Sequence, residues 1–286
     1  MRRRPVVSAL ILALLAPAGA AAQAGPAAGT TPAPVYRVYA IRYAVLPGFP
    51  LNGLVEGADS TGRIDLAMMV WLLRGPGGRT VLVDAGFHRD SLVKRWKPRS
   101  YERPDSAVRK AGVRAEQVTD LVLTHLHWDH ADGVDLFPRA HVWVQKAEYE
   151  HYTAPGRPGH EGVTAEDAAY LERLKADGRL TLVDGDGREI LPGIVVYTGG
   201  KHTFESQYLG VRTAQGTTVV ASDNVYLYLN LERHAPIAQT LDRASNLAAQ
   251  ARMLELATSP RLIVPGHDPA VFVRFPRPGD GVAEIR

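Results

Sequence analysis

The chain has 286 residues, 45% of them hydrophobic and 22% charged, which suits one domain with a substantial core. It contains no cysteine, which excludes disulfides and a lipid-attached cysteine; an oxidising compartment is tolerated but not exploited. The formal net charge of +3 matches the three arginines at positions 2–4, so the remainder is near neutral and lacks the basic patch that nucleic-acid binding requires.

Those arginines open a leader. Residues 6–16 are apolar, Pro17 interrupts the run, and Ala18-Gly19-Ala20 and Ala20-Ala21-Ala22 offer small-residue cleavage sites. The run falls short of the roughly 20 residues a membrane span needs. Residues 1–22 are therefore expected to be a signal peptide cut near Ala22, with the product secreted or periplasmic and without a stable membrane anchor. Residues 23–34, mostly Ala, Gly, Pro and Thr, are expected to be a flexible lead-in. The working domain is residues 35–286.

Within it, residues 35–45 alternate like a strand, and the Gly- and Pro-rich residues 46–62 are expected to loop over a site. Strands follow at 67–74 and 80–84, joined across Gly75-Pro76-Gly77-Gly78. Asp105 or Ser106 is the expected cap of a short helix running towards Lys110. Residues 118–123 interleave Val and Leu with Thr and Asp and read as a buried strand, as do 141–145. Thr164-Ala165-Glu166-Asp167 resembles a helix start, opening a polar helix to about Ala176. More strands are expected at 180–183, 194–197, 208–213 and 217–221. Residues 239–256 place Leu241, Ala244, Leu247, Ala248, Ala251 and Leu254 at helical spacing. Periodicity alone supports a mixed α and β domain.

The most informative stretch is Thr124-His125-Leu126-His127-Trp128-Asp129-His130. In an extended segment alternate side chains share a face, so His125 and His127 can converge on one metal ion. Asp129 and His130 follow where a strand gives way to a loop and can point at a second. Imidazole and carboxylate suit zinc, manganese, iron or cobalt without any thiolate.

This His-x-His-x-Asp-His run resembles the metal motif of the metallo-β-lactamase superfamily. That resemblance implies an αββα sandwich, an α/β (α+β) fold, with two divalent metal ions at one edge between the sheets. It implies further ligands in a fixed order: His202 in the loop after 194–197, a bridging Asp223 after 217–222, and His267 after 262–266. The usual form of the His202 loop is Thr-Pro-Gly-His; here Gly199 and an extra Lys201 depart from it. Asp84 matches an early strand-end aspartate that orients a ligand histidine through its other ring nitrogen.

Asp223 stands where many true β-lactamases carry cysteine or serine. Together with Tyr226 three residues later, it resembles the N-acyl homoserine lactonases, whose phenol faces the substrate carbonyl. The resemblance implies a bridging hydroxide that attacks the lactone, Tyr226 stabilising the developing oxyanion, and Asp129 relaying a proton to the leaving oxygen. The expected partner is a small-molecule ester, and the expected cofactor is a pair of zinc ions. Phosphotriesters or other esters are the alternative substrates, with β-lactams third. A metal-storage protein would not need five imidazoles around an open site. Phe49, Leu51, Met68, Met69, Trp71, Phe87 and Phe204 are candidates to line an acyl pocket.

Overall fold

The alternation of β1 (Arg37–Pro50) and β2 (Arg63–Arg74) builds two cores at once. These strands pair antiparallel. Along β2, Leu66, Met68, Val70 and Leu72 face one apolar cluster, while Ala67, Met69, Trp71 and Leu73 face another. The computed structural model describes residue 1 and residues 34–156 and 162–286. The expected signal peptide and nearly all of the lead-in lie outside the described residues. Ala33–Arg286 form one unit.

The first sheet continues through β3 (Thr80–Val83), β4 (Asp120–Val122), β5 (His141–Gln145) and β6 (Leu180–Val183). From β3 to β6 each strand runs parallel to the last, so their carboxyl ends share one edge. The second sheet holds β7 (Arg188–Leu191), β8 (Ile194–Thr198), β9 (Gln207–Thr213), β10 (Gly216–Ser222) and β11 (Ile263–Pro265). β8 and β10 both run antiparallel to β9, and β11 runs parallel to β10. Three strands of the second sheet therefore also end on a common edge. Finally β12 (Val282–Ile285) pairs with β1.

The apolar clusters define four layers. Odd-numbered β2 residues meet Ile194, Val196, Leu209, Val211 and Val220 between the sheets. Even-numbered ones pack under the helices Lys146–Thr153 and Ala165–Ala176, through Tyr149, Leu171 and Leu174. On the far side, Tyr208, Val219 and Ile263 pack against Ala249 and Met253 of the helix Arg243–Leu256. This is the expected αββα sandwich.

Several local expectations need correcting. β1 runs on to Pro50, absorbing Gly48 at φ 71° and register shifts, so the loop to β2 is shorter than residues 46–62. The helix near Asp105 starts at Pro104, whose fixed φ suits the first helical position, and no side chain caps it. The strand expected at 118–123 is only Asp120–Val122. The helix Arg243–Leu256 starts after Leu241 and turns a different face inward: Asn246, Ala249, Gln250 and Met253 are buried, whereas Leu254 is 40% exposed. The polar Thr164 start is as read, its hydroxyl accepting from Asp167 N–H at 3.0 Å.

Candidate metal centre

The shared strand edge carries every side chain that the motif reading singled out. Past β4 the chain leaves the sheet, so His125 and His127 sit on a loop and Trp128–Ala131 form one helical turn. His202 follows β8, Asp223 follows β10 and His267 follows β11. Two glycines permit this crowding. A Cβ at Gly200 would lie 2.2 Å from Asn224 Oδ1, and one at Gly266 would lie 2.6 Å from Asp223 Oδ1. The departure from the usual His202 loop has a definite path: Gly199, Gly200 and Lys201 all adopt positive φ.

The donors form three overlapping groups: His125, His127 and His202; His125, His130 and Asp223; and Asp129, His130 and His267. In each group the donor atoms lie within 4.8 Å of one another. Asp223 joins them. Its Oδ2 lies 3.4 Å from His202 Nε2 and 3.9 Å from His125 Nε2. Its Oδ1 lies 3.0 Å from His267 Nε2 and 3.3 Å from His130 Nε2. Asp129 Oδ2 faces the second pair, 3.5 Å from His130 and 3.7 Å from His267.

Other groups aim the imidazoles. Asp84, buried and at φ 59°, takes His130 Nδ1 at 2.8 Å, the N–H and hydroxyl of Thr124, and the hydroxyl of Ser222. The Gln239 carbonyl accepts from His202 Nδ1 at 2.9 Å, and the Thr124 hydroxyl sits 3.0 Å from His125 Nδ1. With the outer nitrogens engaged, the Nε2 atoms of His125, His130 and His202 turn inward.

These residues fit divalent cations. His125 Nε2, His130 Nε2 and Asp223 Oδ1 are buried without a hydrogen-bond partner, although Oδ1 has two imidazole nitrogens close by. Buried polar atoms are ordinarily satisfied. His202 Nε2 and His127 Nδ1 lie in hydrogen-bond contact at 2.9 Å, but donors left unpaired at a point of convergence are the arrangement a metal ion takes up. An all-nitrogen and oxygen set suits zinc and its neighbours.

Electrostatically the two ends differ. Burial, reinforced by neighbouring imidazoles, holds His125 well below its ordinary value and pushes His127 down to about 3. At His130 burial works against the proton, but Asp223, Asp129 and Asp84 outweigh it and raise the imidazole well above the usual range. His267 is raised in the same way, chiefly by Asp223.

A cavity of about 400 Å³ opens over this cluster. Leu46, Phe49, Leu54, Leu66 and Met68 form one wall and Trp96 and Trp128 another, with Arg95, Gln239 and Tyr226 also lining it. The two indoles stack at 4.8 Å and 10°. Of the candidate acyl-pocket residues, Phe49 and Met68 line it. Met69 and Trp71 are in the core between the sheets, because strand alternation turns them away, and Phe87 is buried under the helices. Leu51 packs on that core, and Phe204 is exposed, stacked on His151. Tyr226 lines the same cavity, its hydroxyl 3.2 Å from His202 Nδ1, the nitrogen that also meets the Gln239 carbonyl. Sequence reading missed Gln239, Trp96 and Arg95. Only Trp128, inside the motif, carried a signal.

The sequence matches the metallo-beta-lactamase superfamily over residues 66–267, and the chain belongs to that superfamily. It is an enzyme of the metal-dependent hydrolase class. An N-acyl homoserine lactonase from a Bacillus species is 25% identical over 221 residues, covering 72% of this chain and 82% of that protein. Metallo-beta-lactamase domain-containing protein 1 of Xenopus laevis is 28% identical over 241 residues, covering 82% and 87%. Among solved structures, a quorum-quenching N-acyl homoserine lactone lactonase superposes with a TM-score of 0.68 at 24% identity, covering 82% of this chain and 93% of that one. The hydrolase AbOPH, described as of the beta-lactamase superfamily, gives 0.62 at 18% identity, covering 90% and 98%.

Proposed function

We propose that this protein is a secreted dinuclear hydrolase that opens the lactone ring of N-acyl homoserine lactones. The observation that supports it best is Asp223, one carboxylate whose two oxygens face different imidazole pairs. His125, His127 and His202 would hold one ion; Asp129, His130 and His267 would hold the other; Asp223 would hold both. Zinc is the expected metal, and manganese, iron and cobalt suit the same donors. When bound, such ions supply Lewis acidity and bring water within reach of nucleophilic form near neutral pH.

The chain's own groups supply the rest. Burial, with Asp223 and Asp129 nearby, keeps the Tyr226 phenol protonated well beyond its usual range. It can therefore donate to the lactone carbonyl oxygen as negative charge develops there. Water adds its oxygen to the lactone carbonyl carbon and sheds a proton to the Asp129 carboxylate, which passes it to the ring oxygen as the C–O bond breaks, giving an open hydroxy acid. The acyl chain lies along the apolar wall, in a cavity at the smaller end of the roughly 300–1,000 Å³ typical of ligand sites. The Bacillus lactonase relatives support this substrate class.

The test is to rank rates on a panel of acyl homoserine lactones, a cephalosporin and a phosphotriester, before and after chelation. Lactones should lead, and chelator should abolish turnover. A phosphotriester or a simple ester in first place would move the assignment to that bond. Tyr226→Phe should keep its metals and lose about 100-fold in kcat on lactones; unchanged lactone rates would remove the phenol from the reaction.

A further inference from the structure

Glu148 stands in the first turn of the helix Lys146–Thr153, directly after β5, and its side chain is wholly buried. Among the described residues it makes no ion pair. Burial pushes its carboxyl up to about 7, against the Glu205 N–H, the Thr203 hydroxyl and the Leu126 N–H, which pull it down. Those donors come from two separate loops. Leu126 N–H donates to Oε1 at 3.1 Å, and Glu205 N–H donates to Oε2 at 2.7 Å. Leu126 lies between His125 and His127, and Glu205 follows His202 by three residues. The three histidines of the first group thus hang on two loops that a single carboxyl ties together.

The geometry explains why a carboxyl is buried here. Each of two N–H donors, on separate loops, is met by its own carboxyl oxygen. A glutamine of the same shape would offer one oxygen and turn an NH2 group towards the second N–H. The strand ends nearby have their own tie: Gln207 accepts from Gln145 Nε2, donates to the Leu123 carbonyl and bonds the Thr124 carbonyl through its backbone. The sandwich is therefore held together without Glu148.

We infer that Glu148 is a positioning residue, which fixes the spacing of the His125–His127 loop against the His202 loop and so sets ion affinity at the three-histidine group alone. This rests on the dinuclear reading above. The test titrates metal-free parent, Glu148→Gln, Glu148→Ala and His202→Ala with cobalt(II) against a chromophoric chelator, following the visible bands of the bound ion and the melting temperature. Glu148→Gln should bind one of two ions at least tenfold more weakly, in the range of about 10–100-fold seen when a ligand's supporting groups are removed. The band it weakens should be the one that His202→Ala loses, with the other ion unchanged. Parent affinity at both sites, or an equal loss at both, would overturn the inference. Should Glu148→Gln fail to fold, Glu148→Ala decides by the same reading, since it carries no misplaced donor. A parent that takes up one ion overturns the dinuclear reading, yet weakening of that ion in both Glu148 variants would still uphold the role of Glu148.

Discussion

The two halves of the chain reach the same edge by different routes. The first half sends His125, His127, Asp129 and His130 from one short stretch after β4. The second half sends His202, Asp223 and His267 one at a time, from the ends of β8, β10 and β11. A local motif builds one part of the site, and sheet topology builds the other. The supports differ accordingly. In the first half, Asp84 gathers Thr124 and His130 directly. In the second, Asn246 on a distant helix donates to the Gly200 and Asn224 carbonyls and accepts from Ile237 N–H.

The strongest way to break this comparison is at the residue that both halves face. Asp223→Ala should lower metal content measured by elemental analysis and abolish turnover, because the carboxylate offsets repulsion between two cations. Full stoichiometry and activity in that variant would remove Asp223 from the centre. Next comes the helix that supports the second half. Met253→Ala should cost about 2–5 kcal/mol in urea unfolding, since it leaves a cavity beneath β10. Leu254→Ala, on the exposed side, should stay within about 0.5 kcal/mol. Equal costs would return the helix to the face its leucines suggest.

Asp84→Asn sharpens the contrast between the halves. Asparagine tolerates the positive φ at this position, so the backbone can stay while the carboxylate charge facing His130 Nδ1 is lost. Ion binding should weaken about 10–100-fold, mostly at the group of Asp129, His130 and His267, as read by chelator competition. Unchanged affinity would make Asp84 a structural turn only. The smallest effect belongs to the surface of the first half. The hydrogen bond to Asp135 raises His88, so that pair's stabilisation is complete below His88's unfolded value and fades as pH rises through the folded one. His88→Asn should lose about 0.5 kcal/mol at pH 5.5 and nothing at pH 8.5. A gap that persists at high pH would mean packing, not charge, holds His88.

The same contrast explains what was legible. The motif at 124–130 declares its chemistry locally, so four inward-facing side chains could be read without any fold. His202, Asp223 and His267 were legible only because each follows an apolar strand in a known order. The helix face at 243–256 was misread because its buried positions include Asn246 and Gln250, polar residues that bond loop carbonyls rather than add to an apolar stripe. Hydrophobic spacing cannot see that role. The pocket candidates failed for a simpler reason: Met68 and Met69 are adjacent in sequence, but strand alternation sends only Met68 into the cavity.

β12 seals the first sheet beside β1, pairing Ile285 with Val38 and Val282 with Ile41. The first strand of the domain must therefore wait for the last few residues before its edge is covered. Such distant pairing slows folding, because chain closure precedes the contacts that reward it. A chain truncated before Val282 would present β1 as an open strand edge to its neighbours, a template for aggregation rather than a shortened enzyme.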